Sequence, residues 1–289
     1  MEKFKGTWMM PTQQERETAK TNLEQAKQLR QEGQLDAAVA KYQEALTLNP
    51  NFAPALNQLA LTYWQKQEFE QAAACYKSLL EQKPADAGAH VRLGRALLKQ
   101  NAPHAAIAAF QKAIELDPDQ PAAVYRDLGN ALSQPAPVED AVAAYQKAIA
   151  LDANQPPGIY KQLGDALQKQ KQYPEAISAY QAAIGLKPDN PGFYNALGSA
   201  YLKAEQYSEA VAAYQKFVEL KSDNAGAYKN LGDAYQKQGD VDEALKCYKK
   251  ALSLQPQNTA IYRTVGDLLL KNGREREALE AYRRSNSDS

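Results

Sequence analysis

The stretch YKNLGDAYQKQG, residues 228–239, decides the fold, because the chain contains a near copy of it 68 residues earlier. That copy, YKQLGDALQKQK at residues 160–171, is identical at nine of twelve positions. Both stretches carry Leu-Gly inside an otherwise helix-forming sequence. A glycine within a helix costs about 0.5–1 kcal/mol relative to alanine. Its recurrence therefore indicates a packing requirement that offsets this cost.

Both copies belong to a series of eight repeats. Aligned on Leu-Gly and its near variants, successive repeats are spaced by 34, 34, 35, 35, 34, 34 and 34 residues. Position 1 of repeats 1 to 8 is occupied by Ala19, Ala53, Ala87, Ala122, Pro157, Pro191, Ala225 and Thr259. Residues 1–18 are interpreted as a leader and the start of the first helix. That helix is predicted to begin near Thr12, where TQQE forms a capping box.

Each repeat predicts two helices, a first helix A and a second helix B. Positions 4, 7, 8 and 11 are spaced by three and four residues, as are positions 20, 24, 27 and 28, so each set forms one helix face. Fifteen of the 17 tyrosines occupy positions 4, 11 and 24. Gly33, Gly239 and Gly273 at position 15 separate the two helices. Prolines near position 32 close the repeat because they cannot continue the helix before them.

Glycine occupies position 8 in six repeats, and all six also have alanine at position 20. We expect this glycine to let helix B approach helix A closely, with alanine completing the fit. The aromatic residue at position 24 is expected to fill the space beside the crossing. One helix pair of this size cannot bury both of its apolar faces, so stacked copies must cover one another.

This pattern resembles the tetratricopeptide repeat over residues 19–285. The matching features are a bulky residue at position 4, Leu-Gly at 7–8, Tyr at 11, Ala at 20, an aromatic at 24, Ala at 27 and Pro at 32. The resemblance implies an all-α fold, a right-handed superhelical solenoid of antiparallel helix pairs that forms a single domain over residues 19–289. Phe217 replaces the small residue at position 27 of repeat 6, which predicts that its helix B tilts or repacks.

Composition and motifs argue against several classes of function. Lys plus Arg equals Asp plus Glu at 34 each, so there is no electrostatic reason to bind nucleic acid. No apolar run approaches the roughly 18 residues of a membrane helix, and the first residues do not resemble a secretory signal. We expect a cytoplasmic protein without membrane insertion. Cys75 and Cys247 lack metal-ligand spacing and are expected to be buried. No catalytic set, metal site or cofactor motif is found, so we predict that the chain is not an enzyme.

The resemblance implies that helix A lines a concave groove, with positions 5, 9 and 12 among those that point inward. Candidate contact residues for a protein or peptide partner are therefore Leu61, Trp64, Val91, Arg95, Leu98, Arg126, Asn130, Lys161, Asp165, Asn195, Ser199, Lys229, Asp233, Arg263 and Asp267. Repeats 2 and 3 contribute an apolar cluster with Arg95 beside it, and repeats 4 to 8 contribute polar side chains. Tryptophan is enriched among interface hot spots, although Trp64 could equally pack against its own neighbours.

The polar part of the groove has two interpretations. Lysine or arginine at position 5 precedes aspartate at position 9 by four residues in repeats 5, 7 and 8. Such pairs either support their own helix or present donors and acceptors to an extended peptide. Arg126 and Asn130 have no acidic neighbour at that spacing, which makes them the best candidates for a carboxylate contact. The carboxylate clamp that binds chaperone tails is incomplete, because Gln162, Gly192 and Ala196 occupy its next positions.

Two functions remain open at this point. The first is a non-catalytic scaffold that holds a peptide, helix or partner domain in its groove. The second is a substrate-recruiting or regulatory arm of a larger enzyme, such as a glycosyltransferase or another transferase. The leader, with Phe4, Trp8, Met9 and Met10, and the ends of the solenoid are candidate surfaces for self-association.

Overall fold

The protein is described by a computed structural model that covers residues 11–133 and 138–286, so the leader residues proposed for self-association lie outside it. Those ranges contain 16 α-helices and no strand, which confirms the all-α prediction. Odd-numbered helices are the A helices of repeats 1 to 8 and even-numbered helices are the B helices. Their bounds are α1 Gln13–Gln31, α2 Leu35–Leu48, α3 Ala53–Gln65, α4 Phe69–Gln82, α5 Ala87–Lys99, α6 Pro103–Leu116, α7 Ala122–Leu132, α8 Val138–Leu151, α9 Pro157–Lys169, α10 Tyr173–Leu186, α11 Pro191–Lys203, α12 Tyr207–Leu220, α13 Ala225–Gln238, α14 Val241–Leu254, α15 Thr259–Lys271 and α16 Glu275–Ser285.

The helices form two compact blocks. The N-terminal block, residues 1–151, contains α1–α8, and the C-terminal block, residues 152–289, contains α9–α16. Within each block the A and B helices of one repeat pack against each other, and each B helix packs on the A helix that follows it. The expectation of one continuous superhelix over residues 19–289 stays a prediction.

Helix starts follow the signals in the sequence. The Glu15 backbone N–H donates to Thr12 Oγ1 at 3.2 Å, and the Thr12 backbone N–H donates to Glu15 Oε2 at 2.7 Å. This reciprocal pair is the predicted capping box, and it satisfies two N–H groups that the helix itself leaves unpaired. Proline opens α6 and α11, where its missing N–H removes no helical hydrogen bond.

The turn between the A and B helices requires a left-handed residue at position 15. The three glycines there have φ values of 80°, 99° and 74°. The same position has positive φ without glycine at Gln67, Asn101, Lys171 and Glu205, at 64°, 56°, 62° and 61°. Position 15 therefore adopts a left-handed backbone conformation in these repeats, whether or not its residue is a glycine that would end the helix. A non-glycine residue there costs roughly 1–2 kcal/mol, which the packing of the two flanking helices must offset.

The glycine at position 8 makes room for an aromatic ring. A Cβ atom built on each of these six glycines would lie 2.6–2.8 Å from the ring at position 24 of the same repeat. The pairs are Gly94–Phe110, Gly129–Tyr145, Gly164–Tyr180, Gly198–Tyr214, Gly232–Tyr248 and Gly266–Tyr282. The ring therefore lies directly on the glycine. The glycine does let helix B approach closely, as expected, but the group nearest to it is the ring at position 24.

Hydrogen bonds join successive repeats where the sequence places tyrosine at position 11. Glutamine at position 25 of one repeat donates to the hydroxyl of tyrosine at position 11 of the next, as in Gln43–Tyr63, Gln181–Tyr201 and Gln215–Tyr235 at 3.1, 3.0 and 2.9 Å. Phe217 is accommodated in the core, where it clusters with Leu231 and Cys247. These contacts give each block a continuous apolar interior and leave one face of the A helices available.

Candidate functional site

Neighbouring A helices share one surface in each block. In the N-terminal block, Arg95 Nε on α5 donates to Asp127 Oδ2 on α7 at 2.7 Å. In the C-terminal block, Asn230 Nδ2 on α13 donates to Asn195 Oδ1 on α11 at 2.8 Å. These residues occupy positions 5, 6 and 9. Positions 5, 6 and 9 of adjacent A helices therefore meet, and we call the surface that they form the A-helix face.

The apolar part of the A-helix face contains a pocket of 220 Å³. It is lined by Leu61, Trp64, Tyr76, Arg92 and Arg95. The Trp64 ring meets the Phe69 ring edge-on, with 5.1 Å between centroids and 70° between planes. Trp64 is half-buried, so part of the side chain packs on its own helix pair while another part lines the pocket.

The other two apolar candidates lie elsewhere. Val91 is only 7% exposed and belongs to the core, so its assignment as a groove contact is corrected. Position 5 lies at the edge of the core. An apolar side chain there turns inward, as Leu23 also does, whereas the long polar side chain of Lys161 reaches solvent. Leu98 is half-buried and does not line the pocket.

A hydrogen bond inside four repeats couples position 24 to position 9. The tyrosine hydroxyl at position 24 donates to an aspartate or asparagine oxygen at position 9. The pairs are Tyr145–Asn130 at 3.0 Å, Tyr180–Asp165 at 2.8 Å, Tyr248–Asp233 at 2.8 Å and Tyr282–Asp267 at 2.6 Å. Burial raises the pKa of Tyr180, and the Asp165 carboxylate raises it further. The tyrosine therefore stays protonated and acts as a donor.

Repeats 1, 2, 3 and 6 lack this pairing, and the pocket lies between repeats 2 and 3. Repeat 3 has Arg95 at position 9, and its position 24 is Phe110, which has no hydroxyl to donate. Repeat 2 has Leu61 at position 9 but keeps Tyr76 at position 24. Within the described residues the Tyr76 hydroxyl makes no hydrogen bond, and the residue lines the pocket although only 1% of its surface is exposed. Burial raises the pKa of Tyr76 to about 12, and the nearby charge of Arg92 opposes that rise.

Two residues of this pocket were missed at the sequence level. Tyr76 was assigned to the core by its position, and Arg92 occupies position 6, which was compared with known binding patterns but supplied no candidate contact residue. The signal was present: a tyrosine at position 24 whose partner position holds leucine needs another polar neighbour. Among the described residues, Arg92 makes no ion pair, whereas Arg95 is held by Asp127. One uncompensated guanidinium therefore lies beside an unpaired hydroxyl.

The polar candidates of repeats 5, 7 and 8 behave differently from one another. Lys161 pairs with Asp165 at 2.7 Å and Lys229 with Asp233 at 2.6 Å, as the spacing predicts. Each aspartate also accepts the tyrosine hydroxyl of its own repeat, so these carboxylates serve the packing of A on B. The third predicted pair, Arg263 with Asp267, is not formed within the described residues. Both side chains are exposed, and the hydrogen bond that Asp267 accepts comes from Tyr282. Ser199 is half-buried.

Arg126 has an acidic neighbour that the spacing argument did not include, and its role as a partner contact stays a prediction. Arg126 Nη2 lies 3.4 Å from Asp127 Oδ1, and the same carboxylate binds Arg95. The Asn130 side-chain oxygen accepts from Tyr145. The sequence argument considered only acids four residues away and did not consider the adjacent aspartate. The side chains of Arg126 and Asn130 therefore each use one atom for a contact within the protein and keep further N–H donors.

In the described part of the chain, no group of three or more His, Cys, Asp or Glu residues is arranged to hold a metal ion. None of the helices in the described ranges has the length and apolar character needed to span a membrane. Cys75 and Cys247 are buried free thiols, as expected, and burial raises the pKa of each to about 11. Neither thiol is suited to act as a nucleophile near neutral pH.

Sequence profiles of one repeat family match much of the chain. Profiles described as "Tetratricopeptide repeat" match residues 57–121 and 225–258. A profile described as "TPR repeat" matches residues 26–67, 164–204 and 198–239. A comparison with curated proteins gives no match.

Solved structures with the same architecture include MamA, which is 28% identical, with 58% of this chain and 97% of that chain covered and a TM-score of 0.53. The C-terminal part of a TPR repeat-containing protein from Cytophaga hutchinsonii is 19% identical, with 83% and 97% covered and a TM-score of 0.66. YrrB, described as a TPR protein with an unusual peptide-binding site, is 23% identical, with 65% and 96% covered and a TM-score of 0.58. The last two likenesses establish the fold alone.

Proposed function

Because the chain belongs to the tetratricopeptide-repeat family, we propose that it is a non-catalytic scaffold that binds a peptide, helix or partner domain on its A-helix face. The observation that carries this proposal is the pocket between repeats 2 and 3, where Trp64 and Leu61 are half-buried rather than enclosed in the core. A large aromatic side chain beside a guanidinium is typical of interface hot spots. The cytoplasmic location and the alternative of a recruiting arm stay predictions.

The polar A-helix face of the C-terminal block is proposed as a binding surface in its own right. Lys161 and Lys229 each use one contact on an aspartate and keep further N–H donors. Arg263 is exposed and makes no ion pair within the described residues. An extended partner rich in carbonyl or carboxylate oxygens would match these donors. The engaged aspartates and Asn130 are proposed to fix the surface and not to bind the partner.

The experiment begins with selection of peptides from a displayed random library on the whole protein, followed by calorimetry with the tightest peptide. We expect Trp64→Ala to weaken binding by about 2 kcal/mol or more if Trp64 is a hot spot, which is about 30-fold in Kd. Leu186→Ala is the matched control, because Leu186 is 52% exposed and lies on α10, a B helix. Equal Kd values for parent and Trp64→Ala, with unchanged helical content, would refute the assignment of the site.

A further inference from the structure

The pocket between repeats 2 and 3 has a polar end and an apolar end. Its apolar end is formed by Leu61 and Trp64, and its polar end by Tyr76, Arg92 and Arg95. The polar end is rich in donors, because a guanidinium has five N–H groups and no acceptor. Tyr76 lines the same end, and within the described residues its hydroxyl makes no hydrogen bond, so it is available to a ligand as a donor.

Charge balance selects the class of ligand. The Arg95 guanidinium is bound to Asp127 at 2.7 Å, and Arg126 lies 3.4 Å from the same carboxylate. Arg92 makes no ion pair in the described part of the chain and lines the pocket. Three guanidiniums, those of Arg92, Arg95 and Arg126, thus accompany one carboxylate, and this excess of positive charge favours an anionic ligand. Arg92 is the guanidinium that lines the pocket without an ion pair, so a single carboxylate matches it. A phosphoryl group, which carries about −1.5 to −2 at pH 7, would also face the nearby Asp127 carboxylate.

Pocket size limits the ligand to about one residue. A cavity of roughly 150 Å³ lined by apolar side chains holds a benzene-sized group. The 220 Å³ pocket is therefore large enough for one apolar side chain together with a carboxylate. The two ends of the pocket require those two groups to be neighbours in the ligand.

We propose that this pocket binds a carboxylate and an adjacent apolar side chain of a partner peptide. The carboxylate accepts from Arg92 and from the Tyr76 hydroxyl, and the apolar side chain packs on Trp64 and Leu61. The proposal rests on the proposed function, since it names the ligand chemistry of the same surface. The carboxylate has two sources, a chain terminus or an acidic side chain, and the experiment separates them.

The test uses the full chain with Trp8→Phe, which leaves Trp64 as the single tryptophan. The indole N–H signal of Trp64 is followed by NMR during titration with small probes. N-acetyl-leucine carries a terminal carboxylate, and N-acetyl-leucyl-glutamic acid amide carries a side-chain carboxylate. Their neutral counterparts are N-acetyl-leucine amide and N-acetyl-leucyl-glutamine amide. We expect at least one acid to give a saturable shift with a Kd at least tenfold below that of its neutral counterpart, and the tighter acid identifies the source.

Variants then assign the contact. Arg92→Met should raise the Kd of the preferred acid at least tenfold, and Tyr76→Phe should raise it several-fold, because charge-assisted hydrogen bonds are the stronger ones. Arg276→Met is the matched control, since Arg276 is exposed on α16, distant in sequence from the pocket. Circular dichroism on each variant shows whether the fold is intact.

Three results would overturn the proposal: no saturable shift with either acid, equal Kd values for an acid and its neutral counterpart, or an unchanged Kd in folded Arg92→Met. A selected library peptide separates this failure from failure of the proposed function. If that peptide loses affinity with Trp64→Ala but not with Arg92→Met, the scaffold function stands and the carboxylate assignment falls. If the peptide is insensitive to both changes, the proposed binding surface itself is refuted.

Discussion

Replacing Gly164 by alanine tests the glycine–ring packing that repeats 3 to 8 share. A Cβ atom at this position would lie 2.6 Å from Tyr180 Cε1, whereas carbon atoms in optimal contact are about 3.5–4.0 Å apart. The ring therefore has to move by roughly 1 Å. Its hydroxyl is held by Asp165 at 2.8 Å, so the movement strains that hydrogen bond.

The expected magnitude follows from two opposing effects. Overpacking of a well-packed site costs typically about 1–3 kcal/mol, and alanine in place of glycine within a helix recovers about 0.5–1 kcal/mol. We expect Gly164→Ala to lower the free energy of unfolding by about 1–2 kcal/mol. Gly185→Ala is the matched control on α10, because a Cβ atom there would meet nothing within 4 Å. It should raise the free energy of unfolding by about 0.5–1 kcal/mol.

The assay is urea denaturation of both variants and the parent, followed by circular dichroism at 25 °C. Hydrogen exchange of amides in α9 and α10 gives a local readout, because repeat arrays lose two-state cooperativity. Repeats 1 and 2 carry Ala26 and Ala60 at this position, and neither repeat has an acceptor at position 9 that would hold the ring. A Gly164→Ala variant as stable as Gly185→Ala would refute the reasoning.

Two further results are expected from groups within the core. Tyr180→Phe should lower the free energy of unfolding by about 1 kcal/mol, because it removes a hydrogen bond to Asp165. Tyr76→Phe should change that free energy little, because the Tyr76 hydroxyl is unpaired. Urea denaturation of both variants measures the difference, and equal losses of stability would contradict the assigned bonds. Burial raises the pKa of Cys75 and Cys247 to about 11, above the unfolded value of about 8.5, so the unfolded state releases these protons first. The thiol contribution to the free energy of unfolding should therefore be fully retained below about pH 8.5 and decrease toward pH 11. The decrease should be smaller when both cysteines are changed to alanine. If the free energy of unfolding falls with pH equally steeply in the parent and the double variant, burial of the thiols is contradicted.

The repeat period specified most of the local structure. Spacing of three and four residues around positions 4–11 and 20–28 predicted the A and B helices, and the capping box at Thr12 predicted where α1 begins. Glycine at position 15 was interpreted only as a breaker. The positive φ of Lys171 and Glu205 shows that the turn imposes its conformation on residues that disfavour it. The sequence pattern could not indicate that, because those side chains do not suggest a left-handed residue.

The candidate site was less predictable, because exposure depends on which neighbour covers a side chain. Trp64 was predicted to lie on the A-helix face, and it lines a pocket there. Val91 shares an inward position but is small and apolar, so it is buried at the edge of the core. The pairing of position 24 with position 9 was readable from the sequence, since Phe110 accompanies Arg95 while Tyr180 accompanies Asp165. Considering those two positions together marks Tyr76 as a tyrosine without this partner, but it marks Tyr42 and Tyr214 as well, so the pocket itself could not be predicted.

The proposal that the A-helix face is the binding surface is tested most directly by oxidative footprinting of the whole chain with and without a saturating selected peptide. Protection of Leu61, Trp64 and Leu98 is predicted, with unchanged oxidation of Leu186 and Leu279, two exposed leucines on B helices. Protection confined to Leu186 or Leu279, with Trp64 oxidised at the same rate in the complex, would contradict it.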